Sequence, residues 1–89
     1  MAILRTATQA LSVSYGAAIA VESGWENVSV TLDDAEIGFV VEIDAGNEEA
    51  VGAGSSWVLT TPGASTQGAL SIKVKSDSGT PTASVIWFK

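Results

Sequence analysis

Apolar and polar residues alternate one by one through segment after segment of this chain, and that period of two is what most limits its fold. Val28, Val30 and Leu32 alternate with Asn27, Ser29 and Thr31; Ile37, Phe39, Val41 and Ile43 form the cleanest apolar series, within Glu36 to Ile43. Leu70, Ile72 and Val74 alternate with Ser71, Lys73 and Lys75. Successive side chains of an extended chain point to opposite faces, so each series predicts a strand with one apolar and one wet face. Shorter series at Leu11, Val13 and Tyr15, at Ala17, Ile19 and Val21, and at Trp57 to Thr61 read the same way. No segment carries the 3.6-residue period of a helix. Turn residues punctuate the series at Glu22-Ser23-Gly24, Asp33-Asp34, Pro62-Gly63 and Ser76 to Pro81. Asp44 to Ser55, with three glycines, and residues 62–67 read as loops. About seven or eight short strands at this spacing predict an all-β domain, a single small antiparallel β-sandwich that is Ig-like or jelly-roll-like.

The last third of the chain, Gly68 to Phe88, predicts a β-hairpin closed around the turn Ser76 to Pro81. Its second strand is apolar on both faces, Val85 and Trp87 pointing one way and Ile86 and Phe88 the other. One face has the core behind it. The other needs a cover, from a second sheet or from another molecule.

Eighty-nine residues make one domain. A chain of this size buries only about 60–65% of its unfolded surface, yet its composition is 46% hydrophobic. A small core with surplus apolar side chains points to burial between subunits. The expected layout is an extended N-terminal arm over residues 1–9 and a sandwich over residues 10–89. In the arm, Ile3 and Leu4 would anchor on a neighbour and Arg5 would supply charge; the plainer reading of the same residues is a frayed end or a first edge strand.

The residue inventory excludes much chemistry. Neither Cys nor His occurs, which removes disulfides, the commonest general base, the thiolate nucleophile and nearly every zinc site. The net charge of −6 is unsuited to nucleic acid or to anionic lipid. No run approaches a membrane span, and polar residues from Arg5 to Ser14 interrupt any signal-like segment. Nine of the ten acids lie between Glu22 and Glu49, in groups at Asp33, Asp34 and Glu36, at Glu42 and Asp44, and at Glu48 and Glu49. Such oxygens are suitable for Ca²⁺, but none has the spacing of a calcium loop, and a solvated acidic end explains them equally. No nucleophile–base pair or phosphate loop is present, so the chain reads as a non-enzyme with no cofactor and no metal. Of the three tryptophans, Trp57 and Trp87 lie in strands and read as core or interface anchors. Trp25 follows Gly24 at a turn, where an exposed ring would stack on a sugar.

The segments IDAGNEEAVGAGSSWVLTTPG and GALSIKVKSDSGTPTASVIWF, covering residues 43–88, resemble the small β-sandwich accessory proteins of tailed-phage virions, among them head decoration (cement) proteins. Residues 1–42 add a compatible layout. The resemblance implies a homotrimer or other symmetric oligomer on the capsid surface, bound to the major capsid protein, often through an N-terminal arm. It carries no binding residue over. The contact residues expected from the pattern itself are Ile86 and Phe88 with Val40 on the outward strand face, plus Ile3, Leu4 and Arg5. The alternative is a head-fibre or tail adhesin module that meets host carbohydrate through Trp25 and the loops.

Overall fold

A computed structural model describes residues 4–44, 46–60 and 68–88, and eight strands form among them. They are β1 (Leu4–Ala10), β2 (Ile19–Val21), β3 (Glu26–Leu32), β4 (Phe39–Ile43), β5 (Asn47–Val51), β6 (Trp57–Leu59), β7 (Leu70–Ser76) and β8 (Thr82–Phe88). Two four-stranded antiparallel sheets result: sheet A in the order β1-β8-β3-β6, and sheet B in the order β2-β7-β4-β5. The alternation dictates what lies between them. Val28, Val30, Phe39, Val41, Ile72, Val74, Ala83 and Val85 are all at most 1% exposed, one row from each central strand, with Trp25, Trp57 and Trp87 filling the ends.

The pairings have a simple arithmetic. β1 pairs with β8, β2 with β7, β3 with β6 and β4 with β5, so each pair of numbers sums to nine. The chain is thus one long antiparallel ribbon with its tip at the β4–β5 turn, rolled up and zipped by the added pairings β3–β8 and β4–β7. That is a jelly roll rather than an immunoglobulin-type sandwich.

Four expected features differ. The closing stretch is not a hairpin: β7 lies between β2 and β4 in sheet B, while β8 lies between β1 and β3 in sheet A. Residues 77–81 therefore arch from one sheet to the other, and the apolar rows of β7 and β8 meet face to face across the core. Both ends of the arch are tied to the Leu11-Ser12 segment that follows β1, and its start also to Gly38. Ser76 N–H donates to Ser12 O at 2.9 Å and Asp77 N–H to Gly38 O at 2.9 Å, while Leu11 N–H donates to Pro81 O at 2.8 Å. Gly38 is required there: a Cβ would stand 2.6 Å from Asp77 Oδ2 and 2.9 Å from Val51 O.

The Leu11-Val13-Tyr15 series is not a strand. Ser12 Oγ accepts from Ser14 N–H at 3.3 Å and donates to Ser14 O at 3.2 Å, a local serine turn that competes with extended pairing. Leu11 is still buried, and Val13 is left 63% exposed. Conversely, the expected loop from Asp44 to Ser55 contains β5, whose five residues pair with β4 from Phe39↔Val51 to Ile43↔Asn47. β5 carries Asn47, Glu48 and Glu49 because it is a wet edge, held by backbone bonds rather than by a buried row.

The segment expected as an arm is part of the roll. From Leu4 onward it is β1, paired with β8 from Leu4↔Phe88 to Ala10↔Thr82. Ile3, the Pro62-Gly63 turn and the loop at 62–67 lie outside the described residues.

Candidate docking surface

The two outer faces of the roll are chemically unlike. The outer face of sheet A follows from the register. One cross-strand row is Leu4, Phe88 and Glu26; the next is Thr6, Ile86, Ser29 and Val58; beyond them lie Thr8, Ser84 and Thr31. Leu4 is 55%, Val58 59% and Phe88 38% exposed, and Ile86 is half-buried between its threonine and serine neighbours. Three of the four large exposed apolar side chains among the described residues therefore share this face, and Glu26 at its corner is its one charge among those rows. Strand spacings of ~4.8 Å and rises of ~3.3 Å per residue give the face an area of roughly 400 Å². A Thr-rich surface with one charge at its corner and protruding aliphatic and aromatic groups has the composition of an interface centre.

The outer face of sheet B is charged and strapped. Lys73 stands opposite Glu42, which stands opposite Glu48, and Lys75 stands opposite Val40. Tyr15, in the segment between β1 and β2, lies over this face. Its hydroxyl donates to Glu48 Oε1 at 2.7 Å, and Lys75 Nζ sits 4.7 Å from its ring centroid. Loss of hydration raises the Tyr15 phenol from 10.0 to about 12, with Glu48 adding to the shift as acceptor and as a negative charge. Val40 is half-buried here, on the opposite side of the molecule from Ile86 and Phe88. The three do not form one patch, because β4 and β8 belong to different sheets.

Arg5 is also placed otherwise than expected. Its Nε stands 3.1 Å from Glu22 Oε1, linking edge strand β1 of sheet A to the end of edge strand β2 of sheet B. Gln9 reinforces that rim, Nε2 donating to Ala17 O at 2.9 Å. Arg5 thus clasps its own two sheets. The opposite rim is clasped by Trp57, whose Nε1–H donates to Glu49 Oε2 at 2.6 Å.

The acidic groups separate in the same manner into structural duties. Asp33 ends β3 and bonds both backbone groups of Thr82: its N–H donates to Thr82 O at 3.0 Å and its Oδ1 accepts from Thr82 N–H at 2.9 Å. Asp44 ends β4 and does the same to Ser71, at 2.9 Å and 2.9 Å. Asp34 Oδ1 accepts from Glu36 N–H at 2.9 Å, a local turn that delays β4 until Phe39. Among the described residues no group of three or more acids is placed to hold a metal ion.

Trp25 is a core residue. It is 2% exposed, and its Nε1–H donates to Gly68 O at 2.9 Å. The turn at Gly24 (φ 83°) swings the ring inward, so it offers no stacking platform to a sugar. The surface residue that sequence reasoning missed is Val58. Its signal was the alternation Trp57 in, Val58 out, Leu59 in, on a strand of which only Trp57 was read as an anchor.

No family model, no curated protein and no solved structure matches this chain.

Proposed function

We propose that this chain is a structural virion protein, a decoration or cement protein that docks on the assembled head of a tailed phage through the outer face of sheet A. The observation that carries this reading is the collection of Leu4, Val58 and Phe88, with Ile86 between them, on one nearly uncharged face of an otherwise acidic molecule. The face fits an apolar patch on the major capsid protein, and the charged face of sheet B then points to solvent and keeps decorated particles apart. Stabilisation follows from mass action: a protein that binds the assembled shell and not its free subunits shifts the equilibrium towards the shell. The jelly-roll architecture supports the reading by analogy only, since capsid and lectin domains both use it. The carbohydrate-binding alternative loses the residue on which it stood, because Trp25 is buried.

The test is co-sedimentation with purified heads stripped of accessory proteins. Wild type is expected to bind in a fixed ratio to capsid subunits and to delay thermal disruption of the heads. Val58→Lys and Phe88→Ser, folded as wild type, are expected to lose binding. Retained binding by both variants, or no binding by wild type, overturns the assignment of this face.

A further inference from the structure

A jelly roll leaves four sheet edges, and an unblunted edge is a template for another strand. Three of the edges here are blunted. β2 and β6 are three residues long, and β5 presents Asn47, Glu48 and Glu49. β1 is longer than the other edges, and its outward side chains carry no charge. It runs for seven residues, contains no proline, and among the described residues its backbone pairs on one side only, with β8. The side chains it presents on the outer face are Leu4, Thr6, Thr8 and Ala10, none of them charged. Threonine and the alternating pattern favour further pairing.

We propose that β1 pairs antiparallel with β1 of a second copy, about a two-fold axis through Ala7. The occupant follows from the strand's own sequence. In that register Leu4 faces Ala10, Thr6 faces Thr8 and Arg5 faces Gln9, so the one charge on the strand never meets its like. Of the ten acids, Glu22 is paired with Arg5 at this rim, and the others lie on other strands or in the turns between them. A two-fold pair of this kind satisfies both copies' free edges at once and closes the assembly.

Pairing fuses the two A sheets into one of eight strands, β6-β3-β8-β1 continuing into the second copy's β1-β8-β3-β6. The outer faces become continuous, and their area rises from roughly 400 to roughly 800 Å², the contribution of one partner to a standard-sized interface. In this the inference rests on the docking reading, since the doubled face is what would meet the shell; the pairing itself rests on β1 alone.

The experiment is light scattering behind size exclusion on the full chain without capsids, over a concentration series. Wild type is expected at twice the 9.1 kDa of one chain. Thr6→Lys/Thr8→Lys sets four lysines face to face and is expected at the mass of one chain with an unchanged circular dichroism spectrum. Thr6→Lys/Thr8→Glu sets each lysine against a glutamate of the other copy and is expected to restore the dimer. Val58→Lys, on the same face but on the far strand β6, is expected to stay dimeric while losing heads in co-sedimentation. A wild-type monomer or trimer, a dimer indifferent to the lysine pair, or failure of the Lys/Glu variant to dimerise overturns the pairing. A dimer dispersed by Val58→Lys also overturns it, in favour of face-to-face contact. A wild-type dimer that binds no heads would leave the pairing standing and remove the docking reading.

Discussion

Glu49 and Trp57 sit on edge strands of different sheets, yet Glu49 Oε2 accepts the Trp57 indole N–H at 2.6 Å. The bond shuts one rim of the roll over a tryptophan that is only 4% exposed. Removing the acceptor leaves a part-buried donor unsatisfied, and a charged acceptor makes the stronger kind of hydrogen bond. Glu49→Ala is therefore expected to destabilise the fold by about 1–3 kcal/mol, and Glu49→Gln by less, in urea unfolding followed by tryptophan fluorescence. Wild-type stability in both variants would show that the bond contributes nothing.

Asp44 combines an unusual backbone with two hydrogen bonds to the neighbouring strand β7. Its φ is 48°, and it holds Ser71 through both its N–H and its Oδ1. Asparagine keeps the acceptor and tolerates this left-handed conformation, glycine keeps only the conformation, and alanine keeps neither. Stability is expected to fall in the order Asp44, Asn, Gly, Ala, with alanine about 1–3 kcal/mol below wild type. Thermal melts check the order, and an alanine variant more stable than glycine would refute the strain account.

Trp25→Ala separates a core residue from a ligand platform. Deleting a large aromatic side chain from a packed interior costs about 3–5 kcal/mol, a large part of the ~5–15 kcal/mol of a typical domain. The variant is expected to be largely unfolded or to melt far below wild type. A folded variant of wild-type stability that has lost affinity on a glycan array would instead restore the carbohydrate reading.

Tyr15 is the one tyrosine in the chain, so its phenolate absorbance reports one site. Its phenol is raised from 10.0 to about 12, so the folded state holds the proton more tightly than the unfolded state. The stability this provides is complete below pH 10 and is lost as pH rises from about 10 to about 12. Glu48→Gln removes the neighbouring charge but not the loss of hydration, so the midpoint is expected to move part of the way back towards 10. A midpoint unmoved by this substitution would mean that Glu48 does not act on the phenol.

Much of this molecule is legible in the period of two. The inward rows Val28-Val30, Phe39-Val41, Ile72-Val74 and Val85-Trp87 are the observed core, because each strand offers one unbroken apolar row at every second residue. What alternation cannot encode is which strand lies beside which. Leu70 to Ser76 and Thr82 to Phe88 have the pattern of hairpin partners, yet the first pairs with β2 and β4 and the second with β1 and β3, in different sheets. The docking face was half legible for the same reason. Ile86 and Phe88 were found by their parity on one strand, whereas Val40 and Val58 required knowledge of the sheet each belongs to. β5 escaped notice because an edge strand held by its backbone needs no apolar row.

The rolled ribbon has a consequence for how the molecule comes into being. Leu4 pairs with Phe88, 84 positions further along the chain. At about 5–20 residues per second, a ribosome makes β1 roughly 4–17 s before its native partner exists. Through that interval the strand made first has its sticky backbone open on both sides. Its single cation, Arg5, is then its main guard against premature neighbours. Polysomes, which bring many such nascent strands together, are where a tendency of β1 to meet its own copy would first be felt.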